Sequence, residues 1–209
     1  MLIKLSDLIN KYGIQITGVL HVGAHECEEI HDYDNYIGRD KVLWIEAMED
    51  KVKQNRLRFP NILIEQAVVS DRIETVKFNV ANNGQSSSFL ELGVHKYHHP
   101  HVWYSQSYSV ETQPLFPIIT SSKYANIPFN FLNLDIQGVE LKALKGMEEY
   151  LKRDDTVKYI YTEVNCDYVY ENCSLVGEID EYLKQFGFRR ADTQWCCDYK
   201  WGDAFYIRT

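Results

Sequence analysis

The 209-residue chain lacks several features that would each assign it to a class of protein. No apolar run approaches the ~20 residues of a membrane-spanning helix, and the start, MLIKLSDLINKYG, predicts a short amphipathic helix rather than a signal peptide. Lys and Arg form no block and the net charge is −8, whereas nucleic-acid-binding proteins usually carry a basic patch. These absences predict a soluble, cytoplasmic protein with no membrane span and no nucleic-acid partner.

Regularly spaced cysteines and low-complexity linkers are also absent. The five cysteines include no Cys-x-x-Cys pair and are odd in number, which disfavours a disulfide framework or a zinc site. We expect reduced thiols, mostly buried, at Cys27, Cys166, Cys173, Cys196 and Cys197. Apolar residues make up 45% of the chain, which predicts one domain over residues 1–209. That domain could also be an excised part of a larger enzyme.

Apolar, β-branched segments alternate along the chain with segments of helical periodicity. The predicted strands are nearly continuously apolar, as in a parallel sheet with helices on both faces, and span residues 18–22, 41–47, 61–69, 129–136 and 157–164. The predicted helices span residues 25–38, 49–59, 138–152 and 174–187. Two closing strands, at 188–196 and 202–209, predict a hairpin. This alternation predicts an open α/β sheet with right-handed crossovers.

Residues 79–128 interrupt the alternation. They contain NNGQSSS and HKYHHPHVWYSQSYS, followed by Pro114, Pro117 and Pro128. An insert of this length is usually either a functional cover or a disordered segment, and its aromatic residues disfavour disorder. We therefore expect an ordered lid over the carboxyl ends of the strands, where open α/β sheets bind their ligands.

The turn after the first predicted strand has one glycine where a dinucleotide fingerprint has three. Gly23 lets the backbone approach a ligand, and the following helix offers free N–H groups to an anion. The other fingerprint positions hold His25, Glu26 and Cys27. The turn therefore favours a smaller anion, such as an amino-acid carboxylate, over a pyrophosphate.

Glu46 ends the second predicted strand, about twenty residues after this turn. An acid at this position commonly accepts hydrogen bonds from the two hydroxyls of a ribose; the alternative is a surface acid at a strand end. With the Gly23 turn, Glu46 favours an adenosine cofactor without a pyrophosphate, which S-adenosylmethionine fits better than NAD.

Two further carboxylates end the next predicted strands. Asp135 follows an otherwise apolar strand, where a carboxylate costs energy unless it is paired or used, and Glu163 ends the strand after it. Facing one crevice, they suit a general base or a divalent-metal site; the alternative for Asp135 is a helix cap. One histidine of the insert could also deprotonate a hydroxyl, because histidine titrates near neutral pH.

Seven segments in order are similar to FkbM-type S-adenosylmethionine-dependent methyltransferases: HVGAHECEE, LWIEA, AVVSD, GQSSSFLELGVH, LNLDIQGVELKALKG, YTEVN and WGDAFYI. The chain resembles in particular the branch whose first motif reads His-x-Gly-Ala-His followed by Glu. The resemblance implies a Rossmann-like class I methyltransferase fold. Its sheet would be seven-stranded and mostly parallel, with helices on both faces and the last strand antiparallel.

The resemblance also implies which residues bind S-adenosyl-L-methionine and its product S-adenosyl-L-homocysteine. The methionine end would be lined by His21, Gly23, Ala24 and His25. The ribose would lie at Glu46 and Ala47, and the adenine at Gln66, Ala67 and Val68. The remaining cofactor contacts would come from Ser86, Ser87, Ser88, Asp135 and Gln137. Gln137 stands where many members have glutamate, which argues against a charge-dependent metal role at that position.

The activity implied is O-methylation of a hydroxyl on a sugar or glycan acceptor. The enzyme must align the acceptor oxygen and remove its proton, and the candidate bases are Asp135 and His95, with Glu163 next. An unperturbed Asp is a weak base at neutral pH, so His95 is the more easily tuned candidate. The alternatives are a methyltransferase for another small molecule or a protein side chain, and a catalytically silent Rossmann-like binding module.

Overall fold

The structure, a computed structural model, describes residues 1–209 with the exception of the side chain of Cys197. Its strands are β1 (Val19–Val22), β2 (Val42–Glu46), β3 (Leu63–Gln66), β4 (Val68–Val69), β5 (Thr75–Ala81), β6 (Tyr104–Gln113), β7 (Phe131–Leu134), β8 (Tyr159–Asn165), β9 (Phe188–Cys196) and β10 (Trp201–Arg208). Its α-helices are α1 (Leu5–Tyr12), α2 (Ile30–Asp34), α3 (Glu49–Arg58), α4 (His95–His98), α5 (Leu115–Ile119), α6 (Glu140–Lys145), α7 (Glu148–Leu151) and α8 (Val176–Lys184).

Seven strands form the main sheet, in the order β3-β2-β1-β7-β8-β10-β9. The β1–β2, β2–β3, β1–β7 and β7–β8 pairs are parallel, whereas β10 runs antiparallel to both β8 and β9. This arrangement confirms the predicted class I methyltransferase fold, including the closing hairpin. A second sheet, of order β4-β6-β5, is built from the chain between β3 and β7.

The central strands β1, β2 and β7 of the main sheet are buried on both faces, which explains why they are almost continuously apolar. Leu20, Val22 and Leu132 belong to the core cluster on one face. Val19 and Phe131 belong to the cluster on the other face. Since successive side chains of a strand point to opposite faces, both sets must be apolar when helices cover both sides.

The predicted helix over residues 25–38 is too long. His25 has φ 41° and Cys27 has φ 55°, which a right-handed helix cannot accommodate, so α2 begins only at Ile30. The predicted strand over residues 61–69 is divided between β3 in the main sheet and β4 in the second. The predicted helix over residues 138–152 is likewise divided, into α6 and α7.

None of the helices within the described residues is long and apolar enough to cross a membrane.

Three of the cysteines are free thiols in the structure: Cys27, Cys166 and Cys173, of which Cys27 and Cys173 are buried. The side chain of Cys197, for which the sequence also predicts a thiol, lies outside the described residues.

Candidate active site

A cavity of about 490 Å³ lies at the carboxyl ends of the central strands. Its walls include the strand ends at residues 21–23, 45–47 and 133–135, together with Glu163 of β8 and Asp203 of β10. The volume is within the range of small-molecule sites. The position is the one at which open α/β sheets bind their ligands.

The structure brings nearly all the residues of the predicted site to this cavity. It is lined by His21, Gly23, His25, Glu46, Ala47, Ala67, Val68, Ser86, Ser87, Ser88, His95, Asp135, Gln137 and Glu163. Two predicted residues are not among the lining residues: the side chain of Ala24 packs in the core, and that of Gln66 is exposed, with its amide 3.4 Å from the Ala47 carbonyl oxygen.

Gly23 is needed because two strand ends meet there. Its φ is +94°, and an added Cβ would lie 1.8 Å from the carbonyl oxygen of Asp135. The N–H groups of Gly23 and Ala24 donate to the Ile45 carbonyl at 2.9 and 3.0 Å. The turn therefore joins the ends of β1, β2 and β7, in addition to bringing backbone to the edge of the cavity.

Glu46 is a buried carboxylate, with 5% of its surface exposed, so the alternative of a surface acid is wrong. Its Oε2 accepts the His25 N–H at 2.7 Å and its Oε1 accepts the Met48 N–H at 2.8 Å. Burial raises the pKa of Glu46, and the backbone hydrogen bonds oppose that rise. Because each carboxylate oxygen has two acceptor sites, one on each oxygen is left for a ligand.

His25 and His21 differ in their surroundings. His25 Nδ1 lies 2.7 Å from Glu28 Oε1, and its buried Nε2 has no hydrogen-bond partner among the described residues. Burial alone would raise the pKa of Glu28, but hydrogen bonds from His25 and the backbone lower it to about 2. His21 stacks on Trp44 and is 3.0 Å from the Tyr33 hydroxyl, and burial lowers its pKa. His21 is therefore neutral and supports the cavity floor, whereas His25 presents a ring nitrogen to a ligand.

Asp135 and Glu163 meet at the amide of Gln137. Gln137 Nε2 lies 2.6 Å from Asp135 Oδ1 and 3.1 Å from Glu163 Oε2. The Asp135 side chain is exposed towards the cavity, and desolvation by the surrounding cavity walls together with the nearby Asp203 carboxylate raises its pKa to about 6. Burial and the Asp135 charge raise the pKa of Glu163 well above its usual range. Protonation of Glu163 is therefore favoured over that of Asp135, whose pKa of about 6 leaves it ionised at neutral pH.

His95 lies in α4 and is 7% exposed. Its Nδ1 is buried without a hydrogen-bond partner in the described part of the chain, and its ring lies 4.8 Å from His99 and 5.6 Å from Tyr170. Burial and the neighbouring histidines lower its pKa to about 4. Asp135 is therefore the stronger base of the two, the reverse of the order that unperturbed pKa values give.

Several cavity residues were not assigned from the sequence, among them Asp203, Tyr161 and Tyr170. The hydroxyl of Tyr161 donates to Asp203, which also accepts the Leu2 N–H at 2.6 Å. Asp203 carries the same signal as Asp135, a carboxylate in an apolar strand, and could have been found by it. Tyr170 follows β8 in a loop and carries no such signal.

The carboxylates do not form an obvious metal centre. No group of three or more His, Cys, Asp or Glu side chains within the described residues is arranged to hold a metal ion. The amide nitrogen of Gln137 lies between Asp135 and Glu163 and donates a hydrogen bond to each carboxyl group. The amide therefore occupies the position between the two groups at which they would coordinate a metal ion.

Residues 21–190 match the profile of the methyltransferase FkbM domain family. The chain belongs to this family. The match covers the insert and the strand ends from β1 to β8 that border the cavity, and it confirms the family resemblance, although the segment WGDAFYI at 201–207 lies beyond it. No curated protein sequence matches this FkbM-domain methyltransferase significantly.

Solved structures share the fold of this FkbM-domain methyltransferase at low sequence identity. Magnesium protoporphyrin IX methyltransferase from Synechocystis PCC 6803 is 10% identical, with a TM-score of 0.53 over 98% of this chain and 76% of that one. The ribosomal protein L11 methylase from Lactobacillus delbrueckii subsp. bulgaricus is 8% identical, with a TM-score of 0.51 over 96% and 74%. An S-adenosylmethionine-dependent methyltransferase from Mesorhizobium loti is 10% identical, with a TM-score of 0.50 over 93% of each chain.

At such identities these structures show the fold alone. Together, the family and the fold make the chain a class I methyltransferase, and S-adenosylmethionine is the methyl donor of that class.

Proposed function

We propose that this protein transfers a methyl group from S-adenosylmethionine to a hydroxyl of a sugar or glycan acceptor. The observation that carries the proposal is that Glu46 and Asp135 line one cavity at the ends of β2 and β7, the two strands that flank β1. The first is a buried acceptor suited to a ribose, and the second is a carboxylate with a pKa of about 6. A cofactor site and a base therefore share one space.

The cavity residues fit the cofactor. Glu46 keeps one acceptor site on each oxygen for the ribose hydroxyls, and His25 Nε2 is available to a polar group of the methionine end. Ala67, Val68 and Phe78 provide an apolar wall for the adenine. When bound, S-adenosylmethionine supplies an electrophilic methyl group to the oxygen of the acceptor.

The protein's own contribution is to take a proton and to exclude water. Asp135 accepts the proton of the acceptor hydroxyl at its carboxylate, and the raised pKa of Glu163 disfavours a second charge beside it. Residues 83–89 line the cavity together with His95 and His99, which supports the proposal that residues 79–128 act as its lid. Closure by this segment would keep water from the reacting atoms.

The acceptor class is argued from charge and exposed aromatic rings. The cavity wall includes Glu28, Glu29 and Asp203 as well as Asp135, a set that disfavours phosphorylated and other polyanionic acceptors. The insert exposes large rings outside the lining of the cavity: Tyr97 is 74% and Trp103 is 57% exposed. Such rings stack against the apolar faces of sugars, which supports a neutral polyhydroxylated acceptor.

The same acidic wall favours one second candidate, a cationic protein side chain. The two acceptor classes would be distinguished by incubating the protein and S-adenosylmethionine with a panel of uncharged glycosides and, separately, with lysine- and arginine-rich peptides. Mass spectrometry would detect the addition of one methyl group. The proposal predicts methylated glycosides, and methylation of the peptides alone would overturn it.

We also propose a cytoplasmic location. The thiols of Cys27, Cys166 and Cys173 are free, as expected for a reducing compartment.

Glu46→Gln is expected to weaken S-adenosylhomocysteine binding by about 10–100-fold, measured by calorimetry. The change removes a charged acceptor, and hydrogen bonds to charged groups contribute about 1.5–3 kcal/mol each. It also leaves one of the His25 and Met48 N–H groups without its acceptor, so a modest fall in melting temperature should accompany it. The matched control is Glu49→Gln, at an exposed acid nearby, which should leave the affinity unchanged. Equal affinities for both variants would contradict the ribose assignment.

A further inference from the structure

Tyr170 forms the outer end of a hydrogen-bond chain that reaches both carboxylates. Its hydroxyl donates to Gln137 Oε1 at 2.6 Å, and the Gln137 amide nitrogen in turn donates to Asp135 and Glu163. Tyr170 is 1% exposed, and burial raises the pKa of its hydroxyl well above the usual range. The hydroxyl therefore remains a donor at neutral pH.

The orientation of the Gln137 amide follows from what lies at its two ends. The backbone of Gln137 is held in the left-handed region, with φ 58°, and its carbonyl accepts the Ser88 hydroxyl at 2.9 Å. A rotated amide would turn its oxygen towards the Asp135 carboxylate, which has no proton to donate when ionised, so the hydrogen bond to Asp135 would be lost. At the other end, the Tyr170 hydroxyl would have to accept from the amide nitrogen instead of donating to the amide oxygen.

We propose that Tyr170 is a positioning residue, which holds the Gln137 amide in the orientation that donates to Asp135 and so keeps this carboxylate ionised. The inference rests on the proposed role of Asp135 as the base. Tyr170 acts through Gln137 and has a second contact with the site, because its ring also packs against His95. Tyr170 thus contacts one candidate base, His95, directly and is connected to the other, Asp135, through Gln137.

The consequence concerns the protonation of Asp135. The titratable groups that face it from the surrounding elements are Asp203, Glu29, Glu163, Glu140 and the α-amino group of Met1. Asp203 and Glu29 raise the pKa of Asp135 and the amino group lowers it, whereas the charge of Asp135 raises the pKa values of Glu163 and Glu140. The Gln137 amide is the neutral donor that also lowers this pKa, so loss of its orientation should raise the pKa of Asp135.

Tyr170→Phe is expected to move the titration midpoint of Asp135 upward by about one pH unit. The measurement is a carbon-13 NMR titration of the side-chain carboxyls in the full chain, with Asp135→Asn to assign the resonance. The matched control is Tyr104→Phe, because Tyr104 donates its hydroxyl to the Leu90 carbonyl at 2.7 Å outside this chain of bonds. The control should leave the midpoint unchanged.

A double-mutant cycle separates positioning from a general structural role. Gln137→Met should raise the midpoint as Tyr170→Phe does, and the double variant should add nothing further, since both remove the same donor. Additive shifts, or an unchanged midpoint in Tyr170→Phe, would overturn the inference.

A wild-type measurement covers the case in which Tyr170→Phe does not fold. The side-chain amide protons of Gln137 should be protected from hydrogen exchange, because both lie against carboxylates; rapid exchange would contradict the inference. These readouts need neither cofactor nor acceptor. Failure of the proposed function would appear separately, as absent binding of S-adenosylhomocysteine.

Discussion

Asp135→Asn is expected to lower the rate of methyl transfer by about 10²–10⁴-fold, the usual contribution of a general base. Asparagine keeps the size of the side chain and an oxygen that can accept from Gln137 Nε2, but it cannot take the proton of the acceptor hydroxyl. S-adenosylhomocysteine should still bind. Single-turnover transfer to an acceptor identified from the glycoside panel, together with calorimetry, would measure both quantities.

The pH dependence follows from the raised pKa of Asp135. The base must be ionised, so transfer by the wild type should increase as the pH rises through about 6 and level off above it. This acidic limb should disappear in Asp135→Asn. The matched control is Asp192→Asn, an acid that pairs with Lys11 on the surface, and it should retain both rate and profile. Normal turnover by Asp135→Asn would assign the base to Glu163 or His95.

Gly23→Ala is expected to destabilise the protein by about 3 kcal/mol or more. The added Cβ would lie 1.8 Å from the Asp135 carbonyl oxygen, and φ at this position is +94°. The ends of β1 and β7 would have to separate, which would also move Asp135. We expect the melting temperature to fall by about 6–12 °C and the binding of S-adenosylhomocysteine to be lost.

Gly177→Ala is the matched control for this substitution. Gly177 lies in α8, and an added Cβ there would meet no described atom within 4 Å. Alanine should leave stability unchanged or raise it by up to about 1 kcal/mol, because glycine is a poor helix former. A melting temperature of Gly23→Ala equal to that of the wild type would contradict the close approach of the two strands.

The sheet could be predicted because strands that are buried on both faces are almost continuously apolar, and this pattern is visible in the sequence. The strand cores at 19–22, 42–46 and 131–134 contain almost only apolar residues, and few other structures require that pattern. Most of the site followed from the same prediction, because the carboxyl ends of parallel strands lie along one edge. The predicted strands therefore suffice to place Gly23, Glu46 and Asp135 at the same edge of the sheet.

The rest depends on backbone conformation and on contacts between distant parts of the chain. His25 and Cys27 adopt positive φ values although neither is glycine, so the start of α2 carried no sequence signal. Tyr170 reaches Gln137 across 33 positions. The low pKa of His95 comes from burial of its side chain and from the neighbouring histidines, which composition does not reveal.

Residues of one sequence motif can also have side chains that point in different directions. Ala24 and Gln66 belong to segments whose other members line the cavity, yet the Ala24 side chain faces the core and that of Gln66 is exposed. Motif membership therefore predicts which segment approaches the ligand, and the local backbone decides which of its side chains do.

Calorimetric titration of the wild-type protein with S-adenosylhomocysteine tests the central claim most directly. Binding of one molecule per chain, on the order of micromolar affinity and weakened by Glu46→Gln but not by Glu49→Gln, is the predicted result. The absence of binding at millimolar ligand would contradict the account, because the cavity at the strand ends would then not be a cofactor site.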